Sequence, residues 1–272
     1  TSAPACNHTE SIYDVDVGQF RNKCRVKIQI MKIGLIGYGK MGKAIEKIAL
    51  ERGHEIAFRV NSACPIDQVR VSDADVCIEF TQPKLALGHI NTLIDHQVPA
   101  VIGTTGWNGH LEEIKNRVLT TNGSLIHASN FSIGVNLFFQ LNEYLSSLMA
   151  PYSDYNVEVE EIHHTQKLDY PSGTAITLTE GIISHHPEYT KWNTALNEAP
   201  EKQKHSIPVK AVREENVPGT HSITYSNEID SISIEHIAKN RTGFALGAVI
   251  AAEWIADKKG IYTFRDILKP KL

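Results

Sequence analysis

The sequence predicts an α/β fold, a doubly wound parallel sheet with an inserted α+β domain. Three observations predict it. Short apolar runs alternate with helical stretches from Met31 to about Asn130, a glycine-rich turn joins the first run to the first helix, and longer strands with two-residue alternation follow. Strands that alternate with helices pair in parallel through right-handed crossovers.

Lys32–Ile36 reads as a buried strand, and Lys40–Arg52 as a helix with Met41, Ile45, Ile48 and Ala49 on one face, ended by Gly53. Glu55–Val60 and Asp75–Phe80 are strands two and three. Pro83–His96 is a helix with proline in its first turn. Pro99–Ile102 is strand four, Asn108–Leu119 a helix and Ser124–His127 strand five. Beyond Asn130 the pattern predicts a helix over Gly134–Met149 and half-buried strands at Asn156–His163, Ser206–Arg213, Gly219–Ser226 and Ser231–Ala238. In the last, Ile232 and Ile234 share one face while Ser231, Ser233 and Glu235 take the other, which suits an antiparallel or mixed sheet with one covered face. Gly173–Ser184 is a helix among these strands, Glu188–His205 reads as polar loop, and Gly243–Asp257 is an alanine-rich helix before Tyr262–Leu268 closes the chain.

Composition narrows the function. The 272 residues are 42% hydrophobic and 21% charged, with a formal net charge of −4, so no global basic field argues for nucleic acid. No apolar run is long enough to span a membrane. Cys6, Cys24, Cys64 and Cys77 form no CxxC pair, which favours a reducing, cytoplasmic setting over a disulfide framework or zinc site. Residues 1–30 lack the apolar stretch of a secretory signal and are expected to lie outside the fold, although Val26–Ile30 would alternatively lengthen the first strand.

Gly37-Tyr38-Gly39-Lys40-Met41-Gly42 follows strand one and opens helix one. In such a Rossmann-like turn the first glycine makes the bend, the second admits the pyrophosphate, the third lets helix and strand pack closely, and the helix N-terminus offers free N–H groups. The acid expected at the end of strand two is missing from Ala57-Phe58-Arg59-Val60-Asn61. Arg59 either stabilises a 2′-phosphate or is a solvated strand residue, so NADH and NADPH both stay open. Gly103, Thr104 and Thr105 after strand four, and Ala128, Ser129, Asn130 and Phe131 after strand five, occupy strand ends where ligands bind in these sheets.

The stretch from Glu161 to Ala175 begins at a strand end and finishes in a helix start. Ser172, Gly173 and Thr174 put hydroxyls and unpaired N–H groups at that N-terminus, a receptor for a carboxylate. Lys167 adds positive charge and His163 a group able to hold or lose a proton near neutrality. Adjacent histidines on a strand point to opposite faces, so His163 and His164 make no metal motif. An anion clamp beside a proton donor fits reduction of a carboxylated C=C or C=N bond. A nucleotide sensor would not need that pair, and a semialdehyde dehydrogenase would want a nucleophilic cysteine, whereas Cys64 and Cys77 precede any plausible substrate loop.

Glu161-Ile162-His163-His164-Thr165-Gln166-Lys167-Leu168-Asp169-Tyr170-Pro171-Ser172-Gly173-Thr174-Ala175 resembles the signature of the dihydrodipicolinate reductases, the 4-hydroxy-tetrahydrodipicolinate reductase family. The resemblance covers Met31–Leu272 through the glycine loop, Gly103-Thr104-Thr105, Asn130-Phe131-Ser132-Ile133-Gly134 and Arg241-Thr242-Gly243-Phe244-Ala245-Leu246-Gly247-Ala248. It implies NADH- or NADPH-dependent reduction of a small cyclic dicarboxylate with loss of water, in lysine and diaminopimelate biosynthesis. It also implies that His163 is the proton donor and Lys167 a second donor, with His164, Ser172, Gly173, Thr174 and Arg241 on the substrate and the loops above on the cofactor. The implied organisation is an extension at 1–30, a dinucleotide-binding domain at 31–130 and 241–272, and a substrate-binding and tetramerisation domain at 131–240, assembled as a homotetramer. Two departures stand out: a glycine loop one residue shorter than in many members, and a brief Asn61–Ser72 region. Both bear on the phosphate contacts and on cofactor preference.

Overall fold

The computed structural model describes residues 29–240 and 242–269. Nearly all of the expected extension, and Arg241, lie outside the described residues. In chain order the elements are β1 (Lys32–Ile36), α1 (Lys40–Glu51), β2 (Glu55–Val60), β3 (Val76–Glu79), α2 (Pro83–Asp95), β4 (Ala100–Ile102), α3 (Leu111–Thr120) and β5 (Ser124–His127). There follow α4 (Ile133–Met149), β6 (Asn156–His163), α5 (Gly173–His185), β7 (Lys191–Leu196), β8 (Ser206–Arg213), β9 (Thr220–Ser226), β10 (Ser231–Ile237), α6 (Thr242–Ile255), β11 (Gly260–Thr263) and α7 (Phe264–Ile267). The chain divides into two units, Thr1–Ile126 with Val249–Ile261, and His127–Ala248 with Tyr262–Leu272.

The first unit is built on a six-stranded sheet in the order β11-β5-β4-β3-β1-β2. β1 pairs in parallel with β2 on one side and β3 on the other, and β3 pairs in parallel with β4. The strand order therefore reverses at β1, and the crevice beyond the carboxyl ends of β1 and β3 is where ligands bind in such sheets. Ile36, Ile90, Leu93, Ile102, Ile114, Val118 and Leu125 join sheet and helices in one core. Each fully buried side chain of this size contributes about 1.5–3 kcal/mol. Asn108–His110, expected as the first turn of a helix, is a separate 3₁₀ turn before α3.

A polar latch closes this unit. Glu253 of α6 accepts from Arg52 Nε and Nη2 at 2.6 and 2.7 Å. The Met31 N–H donates to His54 Nδ1 at 3.4 Å, which leaves the proton on Nε2, 2.9 Å from Glu253 Oε1. Burial opposes ionisation of Glu253, but the bonds from His54 and Arg52 outweigh it and hold the carboxyl below its usual range.

The second unit carries a five-stranded mixed sheet in the order β10-β9-β6-β8-β7. β6 pairs antiparallel with β9 and parallel with β8. One face is covered by α4 and α5, whose Phe138, Leu145, Leu178 and Ile182 pack on Val157, Val159, Ile207, Val209, Ile223 and Tyr225. Asn142 Nδ2 donates to the Leu178 carbonyl at 2.9 Å and Ser146 Oγ to the Ile182 carbonyl at 3.2 Å, bonding the two helices across their contact. Ile232 and Ile234 face Tyr225 and Ile223 across the β9–β10 ladder, on the covered side as their spacing predicts.

The loop expected across Glu188–His205 is corrected. Lys191–Leu196 is an edge strand in register with Ser206–Ala211. Its central residues are half-buried and polar, so no apolar alternation marks it, and its pairing with β8 makes it a strand.

Candidate active site

The glycine loop is shaped by contacts that exclude side chains at two positions. A Cβ at Gly37, where φ is +97°, would lie 2.0 Å from the Phe80 carbonyl oxygen, and one at Gly42 would lie 2.2 Å from the Gly37 carbonyl oxygen. Gly39 differs, because nothing lies within 4 Å of where its Cβ would be. Gly39 is also the N-cap of α1, and no side chain caps that helix. Backbone open to approach at an uncapped helix N-terminus fits a pyrophosphate.

A cavity of about 230 Å³ adjoins this loop, lined by Met41, Phe80, Thr81, Pro83, Gly103, Thr104 and Thr105. Thr104 is buried, and its Oγ1 accepts from the Thr81 N–H at 2.7 Å. A Cβ at Gly103 would strike the Phe80 ring at 2.1 Å. The expected residues Met41, Gly103, Thr104 and Thr105 thus share one cavity, joined by Phe80, Thr81 and Pro83. The sequence carried a signal for the last three, since they follow β3 at a strand end.

Arg59 stands on β2 beside Tyr38, its guanidinium 5.6 Å from the ring centre. It is not alone there. Glu46 of α1 accepts from Arg59 Nε at 2.9 Å and from Arg59 Nη2, and Tyr38 donates its hydroxyl to the other oxygen of the same carboxylate. The Arg59 bond chiefly holds the Glu46 carboxyl below its usual range, and Glu46 in turn raises Arg59 and Tyr38. Cys77 is sealed in β3, where burial pushes its thiol up to about 12, so it is no nucleophile.

Ala128, Ser129, Asn130 and Phe131 belong to the second unit. Asn130 Oδ1 accepts from the Ser132 N–H at 2.8 Å, and Phe131 meets Phe264 edge-on at 5.3 Å. The Phe131 ring is core.

The second unit gathers the reactive groups around β6. Alternation along the strand puts Glu161 and His163 on its covered face, with Glu161 wholly buried and His163 8% exposed, while His164 lies just beyond the strand and is half-buried. Glu161 Oε2 lies 3.3 Å from His163 Nδ1, within ion-pair range but off the line of a hydrogen bond. The same oxygen accepts the Ser172 N–H at 3.0 Å, and Arg213 Nη2 reaches Oε1 at 3.3 Å. His221, opposite Glu161 on β9, approaches Ser172 Oγ at 3.1 Å and stacks edge-on to His163 at 5.1 Å. Burial resists charge on Glu161, yet the nearby His163 and the bond from Ser172 prevail and bring its carboxyl down to about 2. Burial, then the neighbouring His163, push His221 down to about 3, so it is neutral at physiological pH.

Lys167 sits on the loop after β6, its ammonium 2.8 and 2.7 Å from the two oxygens of Asp169. Arg213 anchors that loop by donating to the carbonyls of Lys167 at 3.2 Å and Asp169 at 2.8 Å. Ser172 caps α5, with its Oγ accepting from the Ala175 N–H at 3.2 Å. The N–H groups of Gly173 and Thr174 keep no partner among the described residues, and the space above Gly173 is open. Two free donors at a helix N-terminus, with an ammonium on the loop leading into it, are an arrangement suited to an anion.

Glu161, His163 and His221 place one ligand atom each within 4.8 Å, a spacing compatible with a metal ion. Here the positive partners of the carboxylate are Arg213 and the Ser172 N–H, and we assign the cluster to charge pairing. Sequence reasoning missed Arg213 and His221, which come from β8 and β9. The available signal was Glu161 itself: a carboxylate on the covered face of a strand demands a buried cation.

Two family models match the chain, the N-terminal part of dihydrodipicolinate reductase over residues 31–131 and the C-terminal part over residues 134–268. The chain belongs to the dihydrodipicolinate reductase family. Within the family it is 47% identical over 238 residues to the 4-hydroxy-tetrahydrodipicolinate reductase of Christiangramia forsetii, covering 88% of this chain and 98% of that protein. It is 34% identical over 246 residues to the reductase of Rickettsia rickettsii, covering 88% of this chain and 100% of that protein. The fold matches that of the dipicolinate-bound dihydrodipicolinate reductase from Paenisporosarcina sp. TG-14, with a TM-score of 0.68, 22% identity, and coverage of 88% of this chain and 99% of that one. Among the described residues no helix is long and apolar enough to cross a membrane.

Proposed function

We propose that this chain carries out the family's reaction, NAD(P)H-dependent reduction of 4-hydroxy-tetrahydrodipicolinate to tetrahydrodipicolinate with loss of water, through His163 and Lys167. The reaction is a step of lysine and diaminopimelate biosynthesis. The observation that carries the assignment is the second unit's combination of an imidazole backed by a buried carboxylate, an ammonium and an open helix N-terminus.

The Gly37–Gly42 loop, Gly103, Thr104 and Thr105 hold the cofactor in the first unit, with Arg59 nearby. Loss of the carbon-4 hydroxyl together with a carbon-3 hydrogen, as water, leaves a C=C bond conjugated with the imine, and a reduced nicotinamide held there would supply a hydride to carbon 4. His163 delivers the proton that the resulting enamine takes at carbon 3, with the Glu161 carboxylate 3.3 Å behind its Nδ1. Lys167 exchanges Asp169 for a substrate carboxylate, and Gly173 and Thr174 bind that carboxylate through backbone N–H groups, with His164, Ser172 and Arg241 completing the substrate side.

His163→Ala tests the assignment. It lowers kcat about 10²–10⁴-fold, as loss of a general acid does, with cofactor affinity unchanged. Near-wild-type turnover removes His163 from the chemistry. The protein acts in the cytoplasm as a homotetramer. Support for assembly comes from α4, where Leu137, Leu141, Tyr144 and Leu148 form a stripe along one helix face at 51%, 49%, 64% and 51% exposure.

A further inference from the structure

We infer that Glu46 is the residue that sets cofactor choice in this chain, by neutralising Arg59 and turning the adenosine end of the site against a 2′-phosphate. The inference rests on the reading of the first unit as the cofactor site. In units of this kind the adenosine ribose lies at the end of strand two, where a carboxylate accepts from the 2′-hydroxyl or a basic group pairs with the 2′-phosphate. Strand two here ends without an acid, and Arg59 alone would favour the phosphate.

The fold changes that balance by bringing a carboxylate from α1. Glu46 accepts from Arg59 Nε at 2.9 Å and from Arg59 Nη2, and receives the Tyr38 hydroxyl on its second oxygen. The group stands at the nucleotide loop itself: Arg59 is paired with Leu35 of β1, and the next carbonyl, of Val60, accepts the Gly37 N–H at 3.0 Å. Tyr38 is the residue between the first two glycines of that loop. The Glu46 side chain is 13% exposed and that of Arg59 43%, so solvent reaches the guanidinium while the carboxylate is held beneath it.

A 2′-phosphate carries about 1.5–2 negative charges at neutral pH. To bond Arg59 it must enter within a few ångströms of a carboxylate already occupying that cation, and the repulsion offsets the attraction. A 2′-hydroxyl carries no charge and meets no such conflict. The arrangement selects NADH over NADPH.

The test uses adenosine 2′,5′-bisphosphate and 5′-AMP, which differ only in the 2′-phosphate, binding to the full chain by calorimetry without turnover. Glu46→Gln, isosteric and uncharged, is expected to tighten the bisphosphate about tenfold while 5′-AMP stays within about twofold. Arg59→Gln added to it should abolish the gain, and the kcat/KM ratio for NADPH against NADH should rise by the same factor in Glu46→Gln. Glu46→Ser serves as a second variant that removes the charge, with the same expectation. Equal changes for both nucleotides, or none, overturn the inference and leave Glu46 as a brace for Tyr38. Failure of every form, wild type included, to bind either nucleotide overturns the cofactor reading as well.

Discussion

Glu161 and His163 lie two residues apart on one strand, and their chemistry depends on that spacing. A buried carboxylate oxygen lies 3.3 Å from imidazole Nδ1, and Arg213 and Ser172 keep that carboxylate in place. Glu161 is therefore a positioning residue. Glu161→Gln is expected to lower kcat about 10²-fold, as misplacement of a reacting group does, while KM for cofactor is unchanged. A fall in thermal stability with kcat preserved would mark it as structural only. The same cluster sets an acid limit on folding. Glu161 and His221 both bind fewer protons in the folded chain than in the unfolded one, so their stabilisation is complete above the unfolded values and is lost as pH falls. For His221 the window runs from 6.5 down to about 3, and for Glu161 from 4.5 down to about 2. Denaturation at pH 7 and pH 5 should show wild type losing about 2 kcal/mol more than His221→Gln. Parallel losses would show that His221 takes its proton as readily folded as unfolded.

At the scale of elements, legibility followed the period of the pattern. β1, β2, β5, β6 and β8 were readable to the residue, because apolar runs or strict alternation bound them on both sides. β7 was not, because an edge strand with half-buried polar residues is specified by its neighbour β8 and not by its own sequence. The site divides the same way. His163, Lys167 and the Ser172–Thr174 turn share one local stretch and were visible together, whereas Glu46, Arg213 and His221 join their partners only through helix packing and sheet register. The strand–loop–helix joint offers a paired test. Gly42→Ala forces a Cβ against the Gly37 carbonyl and is expected to cost about 1–3 kcal/mol. Gly39→Ala has room for its methyl, so it should preserve the melting temperature and weaken nucleotide binding instead. Equal destabilisation by both would refute the distinction between a packing glycine and a ligand-facing one.

At the scale of the whole molecule, the α4 stripe makes a prediction about assembly. Leu141→Glu places a charge mid-stripe and is expected to convert the proposed tetramer into smaller species, read by light scattering, with the secondary structure unchanged. An unaltered mass would show that the stripe faces water in the assembly. A second whole-chain consequence follows from the order in which the first unit is made. Its sheet and the Arg52–His54 half of the latch are encoded before Ile126, but Glu253, and the Lys258 carbonyl and Gly260 N–H that bond Ser124 and Gly123, come from the Val249–Ile261 return. About 120 residues separate the two. At a ribosome's pace that is a delay of roughly 6–25 s, during which the nascent unit holds two basic side chains with no acid to meet and one sheet edge bare. A chain released before residue 249 would carry that defect permanently, so the nucleotide-binding half is complete only once the Val249–Ile261 return has been made.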